Sequence, residues 1–206
     1  MAARIGPNAV LQHLPVLDAV LGLRRRTALF ACAGVAVPPP DAGMLPENEV
    51  ARLHRAVRLY VPGAAARIGR AAGLATGDYI LAHRIPAPAR RLVRVLPAPL
   101  GARLLAGAIA RHAWTFAGSG RFAIAAHRPL VFTIADNPLC GGVDAPGPVC
   151  DWHAAVFERL FARLVWPGVT VRETSCCGAG APACRFELRA RDRDSFLAQG
   201  DTVMFN

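Results

Sequence analysis

The spacing of apolar side chains changes character near Trp114, and that change limits the fold more than any other feature of the chain. Upstream, apolar residues recur three and four positions apart, the repeat that gives a helix one buried stripe. Pro7 stands where a first helical turn tolerates proline, and Val10, Leu11, Leu14, Leu17 and Leu21 follow at helical spacing, with Pro15 marking a kink or a break. A Pro/Gly loop over 37–46 precedes a helix opened by Pro46 and Glu47. Val50, Leu53, Val57 and Tyr60 share one face of it, and Pro62-Gly63 ends it. Shorter helices are predicted around 64–72, 76–83 and 88–95, and a longer one over 100–112.

From Trp114 onward the repeat shortens to two. Trp114-Thr115-Phe116 and 122–126 read as strands joined by a tight turn at Gly118-Ser119-Gly120, and 130–134 is a β-branched and aromatic strand. Asp151 suits the cap of a helix over 152–165, striped by Phe157, Leu160, Phe161 and Leu164 and stopped by Pro167-Gly168. Strands over 169–175 and 184–190 follow. Helices first, then hairpins with one long interposed helix, define an α+β fold: N-terminal helices packed on a C-terminal antiparallel β-sheet. We divide the chain into an N-terminal helical segment (1–45), a ligand-binding domain (46–190) and a C-terminal tail (191–206).

A chain of 206 residues, 53% of them hydrophobic, can bury a substantial core. Its longest uncharged apolar stretch, 27–37, is too short to cross a bilayer, and the N-terminus lacks the apolar core of a signal peptide. The expected location is the cytoplasm. In that reducing compartment six cysteines suggest a metal or redox site before they suggest disulfides. The net charge is +10, and all 24 basic residues are arginine. A GC-rich genome explains arginine in place of lysine; it does not explain the excess of base over acid. That excess favours anionic partners. No helix-turn-helix, zinc-finger or RNA-binding signature is visible, so nucleic acid is not expected. A carboxylate-bearing ligand or an anionic lipid surface, with the chain peripheral to the inner membrane, is the better expectation.

Strand parity singles out one group of residues. On 169–173, Val169, Val171 and Glu173 share a face, and two valines mark it as the core side. A carboxylate there is costly unless paired or bound to a metal. Cys184 shares its apolar face with Phe186 and Leu188, Cys176 opens the intervening turn, and Cys150 stands at a helix N-terminus that favours a thiolate. Three thiolates and one carboxylate close a tetrahedral shell for structural Zn2+. The competing reading makes the cysteines small buried hydrophobes and pairs Glu173 with an arginine. Cys32, Cys140 and Cys177 are expected to stand outside the set. Gly178 to Ala183 fits a dinucleotide-binding pattern on paper, but a strand follows it where a helix is required, so no nicotinamide or flavin site is expected.

The segments Cys150-Asp151-Trp152-His153, Glu173-Thr174-Ser175-Cys176 and 184–188 are similar to the 4-vinyl reductase domain family, found in small-molecule sensors and in bacteriochlorophyll biosynthesis. Segments 49–54, 79–86 and 112–120 extend the resemblance over nearly the whole chain. In family members that sense aromatic compounds, the matching Cys, Glu, Cys and Cys bind zinc. The resemblance implies a part in bacteriochlorophyll synthesis, acting on or holding a divinyl tetrapyrrole. Reducing a vinyl group needs a hydride or electron source, and the residues offer no site for one. The expected role is therefore a carrier of a divinyl chlorophyllide or Mg-porphyrin intermediate, partnered by enzymes of that synthesis. A vinyl reductase is the alternative, and a ligand-sensing regulator or scaffold the third reading. A homodimer is a further expectation from the fold class.

Candidate ligand contacts are His112, as a magnesium ligand or a hydrogen-bonded structural residue, with Trp114 and Phe116 on one strand face as pocket or core. Arg84, with Arg90, Arg91 and Arg94, could hold a propionate or a lipid headgroup, or stand on a solvated helix face.

Overall fold

In the computed structural model, residues 3–190 are described; the predicted tail, 191–206, lies outside them. The first helical stretch divides into α1 (Asn8–Leu11) and α2 (His13–Leu21). The break falls at Gln12, which leaves Pro15 in the first turn of α2, where its missing N–H costs no helical hydrogen bond. α3 (Leu23–Ala33) ends at Gly34, in the left-handed conformation at φ 61°. A short strand β1 (Arg4–Ile5) pairs antiparallel with β2 (Leu45–Pro46), tying the N-terminus to the start of α4 (Glu47–Tyr60).

The two helices predicted over 64–83 are one helix, α5 (Pro62–His83). Gly73 falls in the gap between the two predicted helices, and here it and Gly77 serve packing. A Cβ on Gly73 would collide with the Trp152 carbonyl oxygen and lie 2.7 Å from the Ala155 Cβ, and one on Gly77 would lie 2.6 Å from the Arg159 Cβ. The gain from close contact outweighs the helix-propensity cost of about 1 kcal/mol per glycine. α6 (Ala87–Val95) and α7 (Ala98–Arg111) follow, joined by two residues.

Trp114-Thr115-Phe116 is not a strand. It forms the short helix α8 (Trp114–Ala117), closed by the Ala117 N–H on the Ala113 carbonyl at 2.7 Å and by the Thr115 hydroxyl on the His112 carbonyl at 2.7 Å. Three residues are too few to display a period, and their β-propensity misled. The tight turn belongs instead to a clasp: the Ser119 N–H and hydroxyl donate to the two carboxylate oxygens of Glu47.

The sheet comprises β3 (Arg121–His127), β4 (Leu130–Ala135), β5 (Thr170–Ser175) and β6 (Ala183–Arg189), all antiparallel in the order β3-β4-β6-β5. Between β4 and β5 runs α9 (Asp151–Leu164). Residues 152–157 of α9 are all buried, so the helix has no solvent face over that stretch. A helix buried all round must be covered on both sides. Phe157 of α9 packs on Phe132 and Phe186 of the sheet, and α5 covers the other side through its glycines. The architecture is therefore α+β, with residues 1–45 contributing Ile5, Leu17 and Phe30 to the same buried cluster. Among the described residues, no helix is long and apolar enough to cross a membrane.

Candidate metal centre and the His112 surface

Four buried cysteines, Cys140, Cys150, Cys176 and Cys184, bring their sulfurs within 4.8 Å of one another. Three come from positions singled out by parity. Cys184 lies on the inner face of β6 opposite Ile134, Cys176 follows β5, and Cys150 is the residue before α9. Cys140 was expected outside the set and is inside it. It ends a 3-10 turn over Pro138–Cys140 that Asn137 caps, its side-chain oxygen accepting from the Leu139 N–H at 3.1 Å. That turn swings Cys140 to 3.0 Å from the Cys150 sulfur and to 3.7 Å from those of Cys176 and Cys184. The remaining separations are 3.6 to 3.8 Å. Four thiolates about 2.3 Å from a tetrahedral ion stand about 3.8 Å apart, so five of the six separations fit a metal directly and the sixth needs a small rotation.

The surroundings suit negative sulfur. The Asn137 amide donates to the sulfurs of Cys150 and Cys184, at 3.4 Å each, and the Cys177 N–H donates to Cys184 at 3.4 Å. Asn137 is buried. Arg58 of α4 reaches into the same region, donating to the carbonyls of Leu139 at 2.8 Å and Val149 at 3.2 Å. Neither Asn137 nor Arg58 is a residue that spacing could single out; the only sequence signal is the Asn137-Pro138 turn pair. As bare thiols, Cys150, Cys176 and Cys184 do not share charge equally. Hydrogen bonds from Cys140, Cys150 and Cys184 push the Cys176 thiol far down, while donation to neighbouring sulfur holds Cys150 and Cys184 up. Only a cation lets all four ionise together.

Glu173 borders this cluster. Its Oε2 accepts from the Cys150 N–H at 2.7 Å, and its Oε1 is buried with no hydrogen-bond partner. Burial pushes its carboxyl up to about 8. An orphaned buried carboxyl oxygen beside four thiols is compatible with a bound cation nearby.

The other predicted residues lie outside the thiol cluster. His112 caps α7; its exposed ring donates from Nδ1 to the Ala108 carbonyl at 2.9 Å, since a carbonyl can only accept. In the neutral ring this leaves the lone pair on Nε2. Trp114 is 56% exposed. Phe116 turns inward, edge-to-face on Phe122 and Phe157 at 5.4 and 5.6 Å. Helical geometry thus separates the two rings that strand alternation would have put together. Arg84 caps α5, exposed, with its guanidinium 5.9 Å from the centre of the Tyr79 ring.

This architecture, a helical layer on a four-stranded antiparallel sheet with a buried interposed helix, is similar in fold to solved H-NOX proteins. An H-NOX protein from S. oneidensis superposes with a TM-score of 0.55 at 9% identity, over 91% of this chain and 100% of that one. One from K. algicida superposes with a TM-score of 0.56 at 10% identity, over 93% and 100%. Residues 130–190 match the V4R domain, the segment that holds three strands, α9 and the four thiols. At the level of sequence the chain is 60% identical over 193 residues to the bacteriochlorophyll synthase 23 kDa chain of Cereibacter sphaeroides, covering 94% of each. It is 55% identical to that of Rhodobacter capsulatus, over 94% of this chain and 91% of the other. The chain belongs to the family of bacteriochlorophyll synthase 23 kDa chains.

Proposed function

We propose that this chain is a tetrapyrrole carrier or assembly factor in bacteriochlorophyll biosynthesis, holding a divinyl chlorophyllide or Mg-porphyrin intermediate without itself reducing it. Family membership carries the pathway: relatives at 60% and 55% identity bear the name of a chain of bacteriochlorophyll synthase. The residue that carries the chemistry is His112. Its Nδ1–H is committed to the Ala108 carbonyl, which fixes the ring and leaves the exposed Nε2 as a base. This is the arrangement of a metal-ligating histidine whose second nitrogen is anchored by a carbonyl. Nε2 would meet the central magnesium axially. Trp114 would cover part of the macrocycle, Phe116 would back it through its uncovered edge, and Arg84 would meet a propionate or carboxylate. An enzyme of bacteriochlorophyll synthesis would receive the pigment, at the inner membrane surface.

The thiol cluster has a separate role in this reading. Zn2+ held by Cys150, Cys176 and Cys184, with Cys140 as the fourth ligand in the position expected for Glu173, would lock β4, β5, β6 and α9 together. With no position left for water the metal would be structural.

Titrating purified protein with a soluble magnesium porphyrin tests the carrier reading. The Soret band is expected to shift and the pigment to co-elute, and His112→Ala should weaken binding about ten-fold or more. An unshifted spectrum would sink it. Consumption of divinyl substrate by the pure chain with a reductant would replace it with a reductase, and tight association with a partner enzyme without pigment would replace it with a scaffold.

A further inference from the structure

We infer that the exposed side of α6 and α7 is a docking surface for an anionic lipid bilayer. This deepens the membrane-surface part of the reading above and rests on that part alone, not on pigment binding.

The first observation is charge. Between Asp78 and Asp136 the chain carries eight arginines and no aspartate or glutamate over 57 residues. The net charge of the whole chain is +10, so most of the excess lies in this one run. Arg91, Arg94, Arg103 and Arg111 of the two helices are exposed. Among the described residues, no ion pair engages an arginine of α6 or α7.

The second observation is apolar exposure in the same place. On α6 only Val93 is buried, while Leu92 and Val95 are 51% and 78% exposed. On α7 Leu105 and Ile109 turn inward, while Leu100 and Leu104, one turn apart, are 50% and 40% exposed. Trp114 follows immediately after α7. Five large apolar side chains therefore stand in solvent within 23 residues, interleaved with unpaired guanidiniums. Only Leu96 and Pro97 separate the two helices, which pack on one another, so the faces form one short platform.

Interfacial helices bury apolar side chains at the headgroup boundary and hold anionic lipid through arginine or lysine beside them, with tryptophan at the edge. A protein partner is the weaker occupant, because such interfaces pair charges of both signs and this surface offers one. The net positive field also favours the cytoplasmic leaflet, where anionic lipid collects.

The test uses the full chain and extruded vesicles. Flotation should recover the protein with vesicles that are one-third phosphatidylglycerol and not with pure phosphatidylcholine. Tryptophan emission should shift to the blue on binding, and the shift should vanish in Trp114→Ser. Arg91→Glu with Arg103→Glu should weaken binding at least about five-fold per arginine, and Leu92→Ser with Val95→Ser should weaken it comparably. All four side chains are exposed, so thermal unfolding should be unmoved. Arg24→Glu with Arg25→Glu, on α3, serves as the control of equal charge. Equal loss in that control, equal binding to neutral vesicles, or no recovery with anionic ones would overturn the inference. Because the vesicles contain no pigment, magnesium-porphyrin titration of the Arg91→Glu/Arg103→Glu and Leu92→Ser/Val95→Ser variants separates failure here from failure of the carrier reading.

Discussion

The backbone N–H of Cys150 donates to Oε2 of Glu173 at 2.7 Å, joining the N-terminus of α9 to β5 across the thiol cluster. The carboxylate thus serves the backbone of a cluster residue while its second oxygen stays buried and unpartnered. Glu173→Ala should leave that N–H without an acceptor and cost about 1–3 kcal/mol. On the zinc reading proposed above, four sulfurs complete the shell without it, so the variant should retain metal. Cys140→Ser and Cys176→Ser should drop to less than about half an equivalent of zinc by elemental analysis. If Glu173→Ala loses zinc and Cys140→Ser keeps it, the fourth ligand is the carboxylate.

Stripping the protein with a chelator exposes a second property of the cluster. The sulfurs of Cys140 and Cys150 lie 3.0 Å apart, closer than any other pair in it. Mild oxidation of the stripped protein should link these two, which peptide mapping would detect, while metal-loaded protein should resist. A bond found first between Cys176 and Cys184 would contradict the geometry.

The seam between α5 and α9 predicts opposite signs for one substitution. Gly73→Ala gains helix propensity of about 1 kcal/mol but forces a methyl group onto the Trp152 carbonyl and the Ala155 side chain. Overpacking of this kind costs about 1–3 kcal/mol, so the net effect should be destabilising. Gly107→Ala, inside α7 with nothing within 4 Å of the added carbon, should stabilise by about 0.5–1 kcal/mol. Chemical denaturation of the two variants checks both signs.

Three buried histidines make stability depend on acid. Burial holds His13 and His153 down at about 4, and it holds His54 well below its ordinary value. Well above about pH 6.5 all three are neutral in both folded and unfolded chains, and the share of stability that depends on them is fully present. As pH falls below that, the unfolded chain takes up protons that the folded one refuses, and stability drains away until about pH 4. His13 alone should account for about 2 kcal/mol lost by about pH 5. The difference between wild type and His13→Leu, in denaturant titrations at about pH 7.5 and about pH 5, isolates that share from any release of metal. A difference that does not change with pH would refute the assignment.

Much of this fold was legible because burial imposes periodicity. The stripe of Phe157, Leu160 and Phe161 and the parity of Val171 with Glu173 both reflect a side that must meet the core. What stayed hidden depended on partners distant in sequence. Gly73 falls in the gap between two predicted helices until α9 is set beside it, and Trp114 to Phe116 is too short to reveal its period. Cys140 has no spacing signal. Its place follows from the Asn137 cap and from the register that sets Ile134 beside Cys184, neither of which one strand carries alone. His112 could be named in advance; the carbonyl that fixes its tautomer could not.

The contact between α5 and α9 also bears on traffic. Backbone meets side chain there without even a methyl group between, so no flat ring of macrocycle size can slide between these two helices. On the carrier reading, with His112 and Trp114 exposed, a pigment would sit on the outside, against side chains already in water. Loading then needs no gate to open, and release needs none either. Residence time on that reading would depend on the bond made by His112 and the ring area covered, which would suit a short-lived handover more than storage.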